Sequence, residues 1–295
     1  MSIVGTTYSG VNPKLPLWNA ICRSYSMWLH NIPDVLRISW LWLAVAALSS
    51  WMQRSWVSDL LAVAKPGMRP QMPAGASALL GVGNLLLLLG LVSIAVAWHR
   101  RVILDELPWL SGSNIITKSL WRYIGVGILI SLTAVLPVVL FLLVLFVFLL
   151  PFTSGGASAH SGVAAIILVP TMLLVYLASM AVMLRLSPLL PARAVGDFGR
   201  TFKETWRQTR GNTWRIFWGL LACTLPVMIV VQIAIWRVIG FPNPQMLADG
   251  NLGPRLALIN TVGMFCYLLM WPIAIGLLSL SYQFFFQREQ VGVFD

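Results

Sequence analysis

The sequence predicts an all-α integral membrane protein: six transmembrane helices with cytoplasmic interfacial amphipathic helices beside them, forming a single membrane domain over residues 1–295. Three observations carry this. The chain is 58% hydrophobic and 10% charged with a mean hydropathy of +0.82, whereas an ordinary soluble domain carries about 25% charged residues. Six long apolar stretches run through it. Its nine acidic residues, Asp34, Asp59, Asp105, Glu106, Asp197, Glu204, Asp249, Glu289 and Asp295, all fall between these stretches or at the tail. Proton relays and cation-coupled transporters are built around carboxylates inside the membrane, so the commonest reasons for naming a membrane activity are removed.

The expected spans are about 36–52, 78–98, 123–150, 162–184, 216–239 and 257–285. All but the first reach the roughly 20 apolar residues that cross a hydrocarbon core of about 30 Å. The first is short and begins at Leu36 beside Arg37, whose long stem can snorkel to the headgroups. The outer connections carry turn chemistry: Lys65-Pro66-Gly67 and Arg69-Pro70 in one, Pro242, Pro244, Gly250, Gly253 and Pro254 in another, and a short Gly, Ser and Ala loop from Pro151 to Ser161. Met1 to Pro13 lacks the pattern of a removable signal peptide, so the first span is expected to act as its own insertion signal.

Lys and Arg set the orientation. Fifteen of the 20 lie in the N-terminal segment, the second and fourth connections and the tail, and five lie on the opposite side. Positive residues stay in the cytoplasm, so both termini are expected inside. The net charge of +11 then belongs mainly to one face, which favours contact with anionic lipids and gives no reason to expect nucleic acid. Of the fourteen Trp, many fall near span ends, as an aromatic belt requires.

A threefold pattern suggests three helix-hairpin units. Arg37, Arg122 and Arg215 each sit among apolar or aromatic neighbours at the cytoplasmic start of an odd-numbered span, although chance placement of an interfacial Arg would look the same. A segment with helical spacing precedes each: Trp18, Ile21, Tyr25, Trp28 and Leu29; then Ile115, Ile116 and Leu120; then Phe198, Phe202, Trp206 and Thr209. In the third segment Arg200, Lys203, Arg207 and Arg210 recur at steps of 3, 4 and 3, which collects them on one helical face. Thr201 and Glu204 have capping-box spacing and Gly211 marks a stop. These four residues are the candidate contact for anionic lipid or an acidic partner; the plainer reading is an orientation-setting loop with a solvated basic face.

Other features have equally plain readings. Pro137, Pro170, Pro226 and Pro272 lie inside the last four spans, where they could kink helices around a pathway or simply be resolvated by neighbours. Asn84, Gln232, Thr171, Tyr176, Tyr267 and Tyr282 could line a route for a neutral solute, but such groups usually bond between helices. His30, His99 and His160 are scattered over both sides, which argues against a shared metal site. Cys22, Cys223 and Cys266 have neither disulfide nor metal spacing. There is no Gly-x-Ser-x-Gly elbow, Walker loop or His-Glu-x-x-His. The sequence therefore predicts no enzyme, no catalytic residue and no cofactor.

The stretch Thr205-Trp206-Arg207-Gln208-Thr209-Arg210-Gly211-Asn212-Thr213-Trp214-Arg215-Ile216-Phe217, after Arg185 and Pro191-Ala192-Arg193-Ala194, resembles a cytoplasmic signature of bacterial six-span membrane proteins. Trp98-His99-Arg100-Arg101-Val102-Ile103-Leu104 resembles a second, weaker part of it. These proteins are similar to the membrane domain attached to some glycerophosphodiester phosphodiesterases and to the YciC-like family. The resemblance implies a bacterial inner-membrane origin and little about activity; the multi-pass layout and the cytoplasmic termini are expected from the apolar stretches and the Lys and Arg count. It does not carry over hydrolysis, because the catalytic barrel of the two-domain relatives has no counterpart in these residues. The expected function is a non-enzymatic one, exercised through helix packing and through lipid or protein contact, as in an accessory or assembly subunit or a homo-oligomer. The alternative is a permease for a neutral or amphipathic solute.

Overall fold

A computed structural model of the chain describes residues 13–63, 75–106, 113–153, 161–240 and 252–287. Residues 1–12, the outer turns at Lys65-Pro66-Gly67, 154–160 and 241–251, and His160 and Arg288 lie outside them. Helix α1, Leu17–His30, is followed by α2, Ile32–Val63, and α3, Ala76–Leu104. A 3-10 turn over Ser113–Ile116 leads to α4, Lys118–Thr153, and α5, Ser161–Leu186. Two short helices, α6 over Leu189–Ala194 and α7 over Phe202–Gln208, precede α8, Thr213–Ile239, and α9, Leu252–Phe286. Among the described residues there is no strand. Among the described residues six helices, α2 to α5, α8 and α9, are long and apolar enough to cross a membrane, which makes this a multi-pass membrane protein.

The spans run longer than their apolar cores. The first was expected over 36–52; α2 begins at Ile32 and continues to Val63, so Asp34 and Asp59 stand on helical backbone. Two features allow the earlier start. Pro33 lacks an N–H in the first turn, where no intrahelical acceptor is needed, and the Asp34 carboxylate faces the positive helix end. α3 stops at Asp105, a non-glycine residue at φ 53, a conformation that Asp tolerates better than most.

Helix α9 is the hub of the bundle. Every residue from Pro272 to Phe284 is buried, the condition expected of a helix that is apolar around its circumference. It packs against α1, α2, α3, α6 and α8. Of its candidate span, 44% is buried inside the protein, against 11% for that of α4, so α4 lies at the edge with α5 alongside. One core joins Val35, Ile38 and Trp42 of α2 to Ile94 and Trp98 of α3 and to Leu268 and Ile275 of α9. Trp42 lies on Gly90, where a Cβ would stand 2.7 Å from the indole. A second core joins Ala20 and Ile21 of α1 to Cys223 of α8 and Ile273 and Leu277 of α9.

The four in-span prolines leave their helices unbroken. Pro137, Pro170 and Pro226 face outward, and Pro272 alone of the four is buried. Of the polar residues that could line a solute route, Asn84 and Tyr176 face outward.

Candidate functional site

One end of the bundle gathers the charged residues, because alternate spans start and finish there. Helices α2, α4 and α8 begin at this end, and α3, α5 and α9 finish at it, with α6 and α7 laid across. Three arginines form clamps between these elements. Arg100 grips Glu106 with both Nε and Nη2, at 2.8 and 2.7 Å, and donates from Nη1 to the Ala194 carbonyl at 3.2 Å. Arg101 donates to Asp34 at 2.9 Å, to Asp105 and to Asn31 Oδ1 at 3.2 Å, joining the end of α3 to the start of α2. Arg200 pairs with Asp197 at 3.0 Å and with Glu204, and lies over the Phe286 ring at 5.0 Å. Burial alone would lower the Arg200 guanidinium, but its hydrogen bonds to Glu204 and Asp197 outweigh that and hold it above its ordinary value.

Asp197 is the knot of this end. Its Oδ2 also accepts from the Tyr282 hydroxyl of α9 at 2.9 Å, and its carbonyl accepts from Arg193 at 2.9 Å. Arg193 reaches the Arg200 carbonyl as well, at 2.6 Å. Two further arginines lie on aromatic faces: Arg122 over Phe198 at 3.8 Å, and Arg185 over Trp206 at 3.6 Å. Guanidinium planes over aromatic rings gain about 0.5–2 kcal/mol depending on desolvation.

The four basic residues singled out by spacing do not share one helical face. Helix α7 covers only Phe202–Gln208, so Arg200 precedes it and Arg210 follows it. The capping box is present, with Thr201 Oγ1 accepting from the Glu204 N–H at 3.2 Å. The other end closes through the Thr209 hydroxyl, which donates to the Thr205 and Arg185 carbonyls at 2.8 and 3.1 Å, before Gly211 turns the chain at φ 83. Lys203, Arg207 and Arg210 are exposed, whereas Arg200 is half-buried in its ion pairs. Phe198, expected on the same face as Phe202 and Trp206, lies outside the helix under Arg122.

The three interfacial segments also differ from one another. The first is a fourteen-residue helix, the second a 3-10 turn and the third the seven residues of α7. Helix α1 docks on the bundle. Tyr25 donates to the Ala222 carbonyl of α8 at 2.9 Å and Trp28 Nε1 to the Leu269 carbonyl of α9 at 2.9 Å. Burial first, and then the nearby Cys223, push the Tyr25 phenol up, which keeps it a donor. The chain ahead of α1 is tied down as well: Asn212 accepts from the Leu15 N–H at 2.8 Å and donates to the Pro13 carbonyl at 3.0 Å, while Arg215 donates to the Leu15 carbonyl at 2.7 Å.

Sequence reasoning missed the place of His99, which is fully buried between α3, α4 and α9. The Ser279 hydroxyl donates to the Ile275 carbonyl at 3.0 Å, so its oxygen accepts from His99 Nδ1–H at 2.8 Å. Nε2 then faces the Tyr123 hydroxyl at 3.5 Å. Among the described residues no three His, Cys, Asp or Glu come together as metal ligands. Arg185 was also passed over as a site residue, although a signal existed: the 90 residues between Glu106 and Asp197 contain no acid, so Arg185 has no carboxylate close in sequence.

Neither a protein-family model, nor a curated protein, nor a solved structure matches the chain.

Proposed function

We propose that this chain is a non-enzymatic membrane protein, an accessory or assembly subunit, whose basic, aromatic end contacts anionic headgroups in the cytoplasmic leaflet of a bacterial inner membrane. The observation that carries the reading is the placement of Lys203, Arg207 and Arg210 on exposed positions beside exposed Trp206 and Trp214, at the end where six apolar helices start or finish. A basic residue near a charged membrane surface contributes about 1 kcal/mol, and Trp favours the headgroup region. The acids favour a structural role over a chemical one: Asp34, Asp105, Glu106, Asp197 and Glu204 are each engaged by Arg100, Arg101 or Arg200.

The test changes Lys203, Arg207 and Arg210 together to Gln and leaves Arg200 in its ion pairs. In reconstituted bilayers, spin-labelled phosphatidylglycerol should be held beside the wild-type protein in preference to phosphatidylcholine, and the preference should fade as salt rises. The triple variant should lose most of it. An unchanged preference would rule out these residues as the lipid contact.

A further inference from the structure

A groove of about 430 Å³ runs between α5 and α8 under α7, outside the clamps described above. One wall is Leu177, Ala181 and Leu184, which succeed one another at steps of 4 and 3 along α5; the other is Trp214 and Phe217 of α8, with Trp206 closing the end. The small Ala178 and Ala181 side chains leave space along this wall, which makes the groove deep enough for a chain of methylenes. Both walls belong to spans that cross the membrane, and Leu177 and Trp214 are exposed, so the groove opens where lipid tails would lie.

At its head stands Arg185. Its guanidinium lies on the Trp206 ring and Nη2 donates to the Trp206 carbonyl, but Nε is shielded from solvent and has no acceptor. A buried donor left without an acceptor is costly, and more so when it is charged. No acid lines the groove. The five described acids of this end are held by Arg100, Arg101 and Arg200. The nearby charge is of the same sign, since Arg210 acts on Arg185 as a like neighbour. An apolar channel headed by a guanidinium whose Nε has no acceptor has the chemistry of one ligand: an amphiphile with an anionic head.

We infer that this groove is a specific binding site for one anionic phospholipid, with an acyl chain between α5 and α8 and the phosphate against Arg185. The site rests on the reading of the chain as a lipid-contacting membrane protein, and it deepens that reading from a general surface preference to a single seated molecule. A phosphate oxygen supplies the acceptor that Arg185 Nε lacks, and the pairing of guanidinium with phosphate favours this head over a zwitterionic one whose ammonium would meet the same cation. The tail removes apolar walls from water or from looser lipid packing, and holds α7 against the bundle through Trp206.

The experiment is native mass spectrometry of the full chain released from detergent after incubation with phosphatidylglycerol or phosphatidylcholine of identical tails. At collision energies that strip loosely bound lipid, the wild type should keep one phosphatidylglycerol and no phosphatidylcholine. Arg185→Gln, which removes the charge, should weaken phosphatidylglycerol by about 10- to 100-fold. Ala181→Trp leaves Arg185 in place and fills the groove, and should remove the retained lipid. Melting temperature and monodispersity establish that each variant is folded. Equal retention of the two lipids by the wild type, or undiminished phosphatidylglycerol on Arg185→Gln or on Ala181→Trp, would overturn the site. So would displacement of the lipid by soluble glycerol phosphate, which would mark an anion site with no place for a tail. The Lys203, Arg207 and Arg210 triple-Gln variant separates this claim from the broader one. If that variant loses surface preference while Arg185→Gln keeps its seated lipid, the broader reading stands and the groove assignment fails.

Discussion

At the scale of single residues, His99 shows how a polar group inside an apolar bundle is made tolerable. Its Nδ1–H has an acceptor at 2.8 Å in Ser279, and that serine passes its own proton to the Ile275 carbonyl at 3.0 Å. The contact to Tyr123 at 3.5 Å is at the limit of a hydrogen bond. The two partners should therefore differ. Ser279→Ala leaves a buried N–H without an acceptor and should cost about 1–3 kcal/mol. Tyr123→Phe should cost clearly less, and unfolding of the detergent-solubilised protein measures both. A larger loss for Tyr123→Phe would mean that Nε2 carries the main bond. The sequence gives little warning of this arrangement. A histidine followed by Arg100 and Arg101 reads as a span end, and only the three-dimensional packing brings Ser279, 180 residues away, to its ring.

At the scale of elements, periodicity revealed which segments are helical but not what they rest on. The spacing of Trp18, Ile21, Tyr25 and Trp28 marks α1 as a helix with one apolar face, which fits a membrane surface and a neighbouring helix equally well. Side-chain to backbone bonds decide it: Tyr25 to α8, Trp28 to α9, and Asn212 with Arg215 holding the residues ahead of the helix. Asn212→Ala removes both the acceptor for Leu15 and the donor for Pro13. Cleavage by trypsin after the exposed Lys14 should then be accelerated well above the wild-type rate, with later sites unaffected. An unchanged rate would mean that Arg215 and the packing of Leu15 suffice. Helix α7 teaches a different lesson. Its cap was legible at Thr201 and Glu204, but its length was not, because Asp197 and Glu204 draw Arg200 into ion pairs ahead of the first turn and Thr209 closes the last turn onto Arg185.

At the scale of the whole molecule, the six spans were legible because a membrane demands long apolar runs, a constraint strong enough to read without tertiary information. Their arrangement was not legible. Both α9 and α4 read as spans, yet one is the hub and the other the edge; a trace of this lies in the lower mean hydropathy of α9, 1.9 against 2.8. The arginines were countable in the sequence, but their division of labour was not legible there. The structure divides the cations into Arg100, Arg101 and Arg200, which tie helices together through five acids, and Arg185, left at the head of an apolar groove. The central claim is that this cationic end faces the anionic inner leaflet. Its most direct test is labelling of native Cys22, exposed on α1, and of a Lys203→Cys thiol with a membrane-impermeant maleimide. Both should remain unlabelled in intact bacterial spheroplasts and react in inverted membrane vesicles. Labelling of these thiols from outside intact spheroplasts would contradict the account.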